Sequence, residues 1–166
     1  ADRVHEEGGT LFMQIMHGGR TSHPDLIDGA NPEAPSAFDW GGTVRGFAGK
    51  MDAPVPRELK TEELPRIVEE FRQGARQAID AGVDGVEIHG ANGYLLHEFM
   101  APSANKREDE FGGSPENRWR LPEMVIRAVA EEIGADRVGV RFSPSHNVQG
   151  VIEDDQEDML ATYGGL

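Results

Sequence analysis

Two hydrophobic periods alternate along the chain, and they divide it into short strands and amphipathic helices. Residues 10–16 (TLFMQIM) form a β-rich apolar run with glycine on either side, which predicts a buried strand. Across residues 61–81 the period changes. Leu64, Ile67, Val68, Phe71, Ala75, Ala78 and Ile79 recur on one helical face. Thr61 reads as the N-cap, Pro65 falls in the first turn and Gly82 suits the C′ position. The run VDGVEIH is a second strand, followed by a glycine-containing turn and the brief helical piece YLLHEFM. After the polar loop APSANKREDEFGGS, Ser114 as N-cap and Pro115 at N1 open a helix that runs to about Ile133. Pro122 should kink that helix or mark its true start. RVGVRFS is a third strand, and a last helix is expected from Glu153 to the end of the chain. Residues 1–9 read as the end of a helix stopped at Gly8-Gly9. Residues 17–60 show no sustained period, which points to a lid, a binding loop or disorder.

Strand, helix, strand, helix, strand, helix is the order of parallel βα units. The pattern holds three strands, and a full (β/α)8 barrel takes about 250 residues. A doubly wound sheet usually carries an early phosphate-binding glycine loop. Neither G-x-G-x-x-G nor a P-loop occurs in this sequence. The expected fold is therefore α/β, a partial TIM barrel, with residues 1–166 forming one incomplete domain truncated at both ends.

Side chains two apart on a strand share a face. Leu11, Met13 and Ile15 thus oppose Phe12, Gln14 and Met16. Val86 and Ile88 oppose Gly85, Glu87 and His89, and Val138, Val140 and Phe142 oppose Gly139, Arg141 and Ser143. The apolar set of each strand suits packing under helices. The other set then faces the barrel interior, with Gln14, His89 and Arg141 near the C-terminal strand ends, where barrel active sites lie. A ligand site or a satisfied polar network, such as a Glu87–Arg141 ion pair, would each explain three convergent polar groups.

Charge narrows the class. The 16 Lys+Arg against 30 Asp+Glu give a net charge of −14, which disfavours nucleic acid and anionic membrane surfaces as partners. No apolar run approaches the roughly 20 residues of a membrane span, and the acidic start lacks a signal-peptide core. With no Cys, disulfides and thiolate metal sites are absent from these residues. These features fit a cytoplasmic enzyme.

The run DGVEIHGANGYLLHEFMAPSANKREDEFGGSPENR, together with QIMHGGR, SHPDL and RVGVRFSP, resembles the old yellow enzyme family of NADH:flavin oxidoreductases and FMN-dependent ene-reductases. The resemblance implies a TIM barrel of which this chain covers about the third to fifth βα units. It implies FMN as cofactor, NAD(P)H as reductant, and a small-molecule electrophilic alkene as substrate. By position, Gln14 resembles the glutamine on the flavin pyrimidine edge. Arg141 resembles the arginine beside flavin N1 and O2, where a fixed cation tunes the cofactor. His89 and Asn92 resemble the pair that holds the substrate carbonyl oxygen; two donors there stabilise the enolate formed on hydride addition. Tyr94 resembles the general acid at Cα, a role that suits a side chain ordinarily protonated at neutral pH. No metal ligand is implied.

Asn92 stands where some members carry a second histidine, and Met16 stands where a tryptophan is frequent. His23, His97 and His146 read as structural, and Asn105, Arg107 and Asp109 as loop architecture. Trp40 and Phe47 either fold over the site or lie in a loose surface loop. Three alternatives stay open: a barrel fragment of an iron–sulfur flavoenzyme of the dienoyl-CoA reductase type, a His17/His89 metal hydrolase, and an inactive structural fragment. The isolated chain is expected to be inactive.

Overall fold

The computed structural model describes residues 1–164. In chain order the elements are α1 (Asp2–Glu6), β1 (Phe12–Ile15), β2 (Glu33–Ala34), β3 (Thr43–Gly46), β4 (Gly49–Asp52), β5 (Arg57–Glu58), α2 (Leu64–Asp80), β6 (Gly85–His89), α3 (Leu95–Met100), α4 (Pro115–Ile133), β7 (Val138–Arg141) and α5 (Gln156–Tyr163). The main sheet is wholly parallel, in the order β1-β6-β7. Its two connections contain α2 and α4, as parallel pairing requires a long crossover.

The apolar stripe of α2 is what holds it to the sheet. Leu64, Ile67, Phe71, Ala75 and Ala78 are buried in one core with Val86 and Ile88 of β6 and with Leu121, Val125 and Val129 of α4. Burying one such aliphatic side chain is worth about 1.5–3 kcal/mol, so this layer carries most of the stabilisation. Helix α2 ends in a Schellman arrangement: Val83 N–H donates to Ala78 O (3.3 Å) and Gly82 N–H to Ile79 O (2.8 Å). Gly82 sits at φ +90°, a conformation a Cβ would strain.

Several boundaries differ from the sequence reading. Residues 61–63 form a 3-10 turn rather than α-helix. Thr61 does not cap it, because its hydroxyl donates to Asp109 instead (2.6 Å). The Glu63 carboxylate accepts from Lys60 N–H (2.8 Å) at that end. Helix α4 starts at Pro115 behind Ser114, whose Oγ accepts from Asn117 N–H (3.3 Å), and it runs through the buried Pro122. The final helix begins at Gln156, three residues after Glu153, because Asp155 supplies the N-cap to Glu157 and Asp158 N–H. Its expected continuation to the chain end falls partly outside the described residues.

The segment 17–60, aperiodic in sequence, is built from local ladders. Strands β3 and β4 form an antiparallel hairpin, and β2 pairs with β5 in parallel. Buried Arg107 ties this segment down, donating to Pro35 O (3.2 Å), to Leu59 O and to Thr61 Oγ1 (3.1 Å) while paired with Asp109. Such a segment lacks a period because its bonds run to a distant arginine rather than along a repeat.

Candidate active site

The open face of the sheet collects the polar strand residues. Register places Gln14 opposite Glu87, Glu87 opposite Gly139, and His89 opposite Arg141. Parity therefore puts Gln14, Glu87, His89 and Arg141 on the face away from the helical core. The Gln14 amide donates to the Glu87 carboxylate. The alternative of a Glu87–Arg141 ion pair is not what forms: Arg141 pairs with no carboxylate among the described residues, and Glu87 accepts from Gln14 instead. The register explains this, since Gly139 and not Arg141 is the direct neighbour of Glu87.

Beyond β6 the chain turns sharply. Asn92 and Gly93 both have positive φ, 57° and 79°. A Cβ on Gly93 would stand 2.8 Å from Gln149 Cβ, so both the backbone conformation and the space call for glycine. Three groups clamp this turn. Ser143 Oγ accepts from Asn92 N–H (3.0 Å), Gln149 Nε2 donates to Asn92 O (2.9 Å), and His97 Nδ1 accepts from Gly93 N–H (3.0 Å). Behind them, His97 Nε2 lies 3.3 Å from Glu153, whose other oxygen accepts from Tyr163 hydroxyl (3.0 Å). The turn delivers Tyr94 edge-on to His89, with ring centroids 4.9 Å apart. Asn92, Tyr94 and Arg141 border one cavity of about 630 Å³, joined by Ser143, His146 and Gln149.

His89 is the buried member, 4% exposed. Burial holds its pKa below the ordinary histidine value, and the Arg141 charge pushes the same way against the opposing Glu87. The imidazole is thus neutral at neutral pH, one nitrogen a donor and one an acceptor. Its Nδ1 is buried, with no hydrogen-bond partner among the described residues. A buried polar atom left so costs about 1–3 kcal/mol. With the unpaired Arg141 and the free amide oxygen of Gln14, the face offers donors, an acceptor and a fixed cation. That set fits the edge of a flat heteroaromatic ring such as a flavin.

Other residues fall elsewhere. His17 Nε2 faces Glu33 at 3.8 Å, and with Met16 it lines a separate cavity of about 350 Å³ under the 18–33 loop. His23 stands beside Asp25. Trp40 is not loose: it lies over the Arg20 guanidinium at 5.2 Å, while Phe47 at the hairpin tip is 83% exposed. Sequence reasoning missed Ser143 and Gln149 as clamps. Ser143 already stood on the inward parity of β7. Gln149 lies in an irregular loop with no signal of its own.

A parallel βα sheet with its polar residues gathered beyond the C-terminal strand ends defines the class: a barrel-type α/β enzyme segment. The model of the NADH:flavin oxidoreductase / NADH oxidase family matches residues 1–162, and the chain belongs to that family, the old yellow enzymes. It is 50% identical over 143 residues to 12-oxophytodienoate reductase 1 of Oryza sativa subsp. japonica, covering 86% of this chain and 37% of that protein. The solved old yellow enzyme homologue of Zymomonas mobilis superposes with TM-score 0.91 at 41% identity, covering 96% of this chain and 44% of that one. Morphinone reductase in complex with tetrahydroNAD superposes at 0.88 and 42% identity, with 95% and 46% covered. These neighbours are TIM-barrel old yellow enzymes, so the fold is a partial TIM barrel. The chain spans between about a third and half the length of the curated relatives it matches.

Proposed function

We propose that this chain is an internal segment, about the third to fifth βα units, of an FMN-dependent ene-reductase that uses NAD(P)H to reduce the C=C bond of an electrophilic alkene. The observation that carries the reading is the Tyr94–His89 pair beside Asn92 and Arg141, on the sheet face away from the helical core. The relatives, one named for 12-oxophytodienoate and one for morphinone, support it.

The flavin, when bound, supplies the hydride. Gln14 and Arg141 would hold its ring edge, and Glu87 fixes the Gln14 amide from behind. Neutral His89 and the Asn92 amide donate to the carbonyl oxygen of the alkene substrate, where negative charge develops. Tyr94 then gives its hydroxyl proton to Cα, so the product gains one hydride and one proton. Isolated, the chain leaves this face open, so it binds FMN weakly and lacks activity; equilibrium dialysis against FMN measures this directly.

The reading is tested in the full-length protein by changing His89 and Asn92 together to Ala and following enone-dependent reoxidation of the pre-reduced flavin. Loss of both donors should raise the enone Kd and slow the step by about 10²-fold or more, the order seen when oxyanion donors are removed. Unchanged enone binding and rate would overturn the assignment.

A further inference from the structure

The clamp behind Tyr94 ends on a buried charge that the proposed chemistry does not use. Glu153 lies in the stretch between β7 and α5, and its side chain is 3% exposed. The backbone there is pinned: Ile152 N–H donates to Ser103 Oγ (2.8 Å) and Glu153 N–H to Asn147 Oδ1 (3.0 Å). From that fixed point the carboxylate meets three groups. Its Oε2 accepts from Ser145 N–H (3.1 Å) and lies 3.3 Å from His97 Nε2, and its Oε1 accepts from the Tyr163 hydroxyl (3.0 Å). Burial alone would raise the Glu153 pKa; His97, Tyr163 and Ser145 together outweigh it and hold the group below the ordinary glutamate value. A carboxylate kept charged in the interior is costly unless its oxygens are used.

The far side of His97 fixes where its proton sits. A backbone N–H can only donate, and Gly93 N–H donates to His97 Nδ1 (3.0 Å). Nδ1 is therefore the bare nitrogen. A neutral imidazole with a bare Nδ1 carries its proton on Nε2, the nitrogen that faces Glu153. Nε2 is buried without a well-aligned hydrogen bond, and Glu153 is the only carboxylate paired with it among the described residues. The opposite tautomer would set two N–H groups against each other at Gly93 and a lone pair against an anion at Glu153. An imidazolium would keep the clash at Gly93. Either state breaks the bond at a turn where Asn92 and Gly93 already have positive φ, directly before Tyr94.

We propose that Glu153 is a positioning residue for proton transfer from Tyr94: its carboxylate holds the His97 proton on Nε2, so that Nδ1 stays free to grip Gly93 N–H and the turn presents Tyr94 to the substrate. This rests on the ene-reductase reading above. Glu153 touches no reacting atom and acts through His97. The same carboxylate braces Ser145, which stands at φ 58°, in the loop that supplies Ser143 and Gln149 to the turn. One buried anion thus ties the turn to the loop that clamps it. The proton from Tyr94 is needed when the alkene is reduced, so the relay bears on that half-reaction and not on reduction of the flavin by the nucleotide.

The experiment takes two readouts on the full-length protein. Heteronuclear NMR of histidine-labelled enzyme, with the His97 signals assigned by their loss in His97→Asn, reads the tautomer. The wild type should show a protonated Nε2 and a bare Nδ1. Stopped-flow measurement of both half-reactions then compares the wild type with Glu153→Leu and Glu153→Gln. Glu153→Leu should slow enone reoxidation about tenfold through misplacement of Tyr94, with flavin reduction by NAD(P)H changed by less than about twofold. Glu153→Gln, whose amide oxygen still accepts from Nε2–H, should stay within about twofold of wild type in both steps. A residue that only supports the fold would slow both half-reactions together. A His97 proton on Nδ1 in the wild type, equal slowing of both half-reactions in Glu153→Leu, or a Gln variant as slow as the Leu variant would each overturn the proposal. Should Glu153→Leu fail to fold, the wild-type tautomer and the Gln variant decide. The tautomer is read without turnover, so failure of the ene-reductase reading shows separately, as a wild-type flavin that no enone reoxidises.

Discussion

The two faces of the β1-β6-β7 sheet are made by alternate residues of the same strands, and they serve opposite ends. On one face Val86 and Ile88 are fully buried under α2 and α4. On the other, Gln14 and Arg141 stand exposed and His89 keeps a buried nitrogen without a partner among the described residues. The helix-covered face supplies stability through apolar area; the open face carries the polar residues of the proposed site. A change of one residue along a strand therefore moves from the helix-packed face to the open one.

The largest test of this contrast is in stability. Ile88→Ala should cost about 2–5 kcal/mol in urea unfolding of the full-length protein, as large-to-small core changes do. Gln14→Ala, on the other face, should stay within about 0.5 kcal/mol. A comparable loss at both positions would erase the division.

A titrating group packed behind the turn sharpens it. Glu98 is fully buried; its Oε1 accepts from Arg20 N–H (2.9 Å) and its Oε2 has no partner among the described residues. Burial pushes its pKa up from 4.5 to about 8, with Arg20 opposing. The folded state therefore binds a proton that the unfolded chain releases above pH 4.5. This contribution is fully present below about 4.5 and is lost as pH rises through about 8. Glu98→Gln, which cannot ionise, should raise the thermal midpoint relative to wild type progressively across that window. Parallel wild-type and variant curves would contradict the buried, protonated assignment.

A smaller effect should come from His97, which holds Gly93 N–H. His97→Leu should slow enone reduction by about tenfold through misplacement of Tyr94, with flavin reduction near normal. His97→Asn, which keeps an acceptor, should recover part of the rate. Equal slowing of both half-reactions would make His97 a residue of general stability.

Much of this was legible in the sequence wherever a period existed. The seven-residue stripe of α2, the Ser114-Pro115 start of α4 and the alternation that divides each strand all follow from spacing. The loop phrases carried the family. What stayed hidden depended on partners far away in the chain. Thr61 gave up its cap role to Asp109, and Asp155 rather than Glu153 set the start of α5. The hairpin at 43–52 is shaped by pairing and by contacts to Asp25, which leave no repeat to read. Ser143, Gln149 and His97 converge on Asn92-Gly93 only after folding. Trp40 became ordered through a buried arginine that the apolar pattern does not register.

The central claim is that the open face does the chemistry, with Tyr94 as the proton donor. Stopped-flow measurement of both half-reactions in the full-length Tyr94→Phe variant tests it most directly. The flavin contacts and the carbonyl donors remain in that variant, so flavin reduction by NAD(P)H should stay near the wild-type rate. Reoxidation by an enone should slow by about 10²–10⁴-fold, the range of general acid catalysis. Quinone reduction, which places protons on exchangeable oxygens, should be spared. Equal slowing of flavin reduction and enone reduction would contradict the account and make Tyr94 a structural or nicotinamide-binding residue.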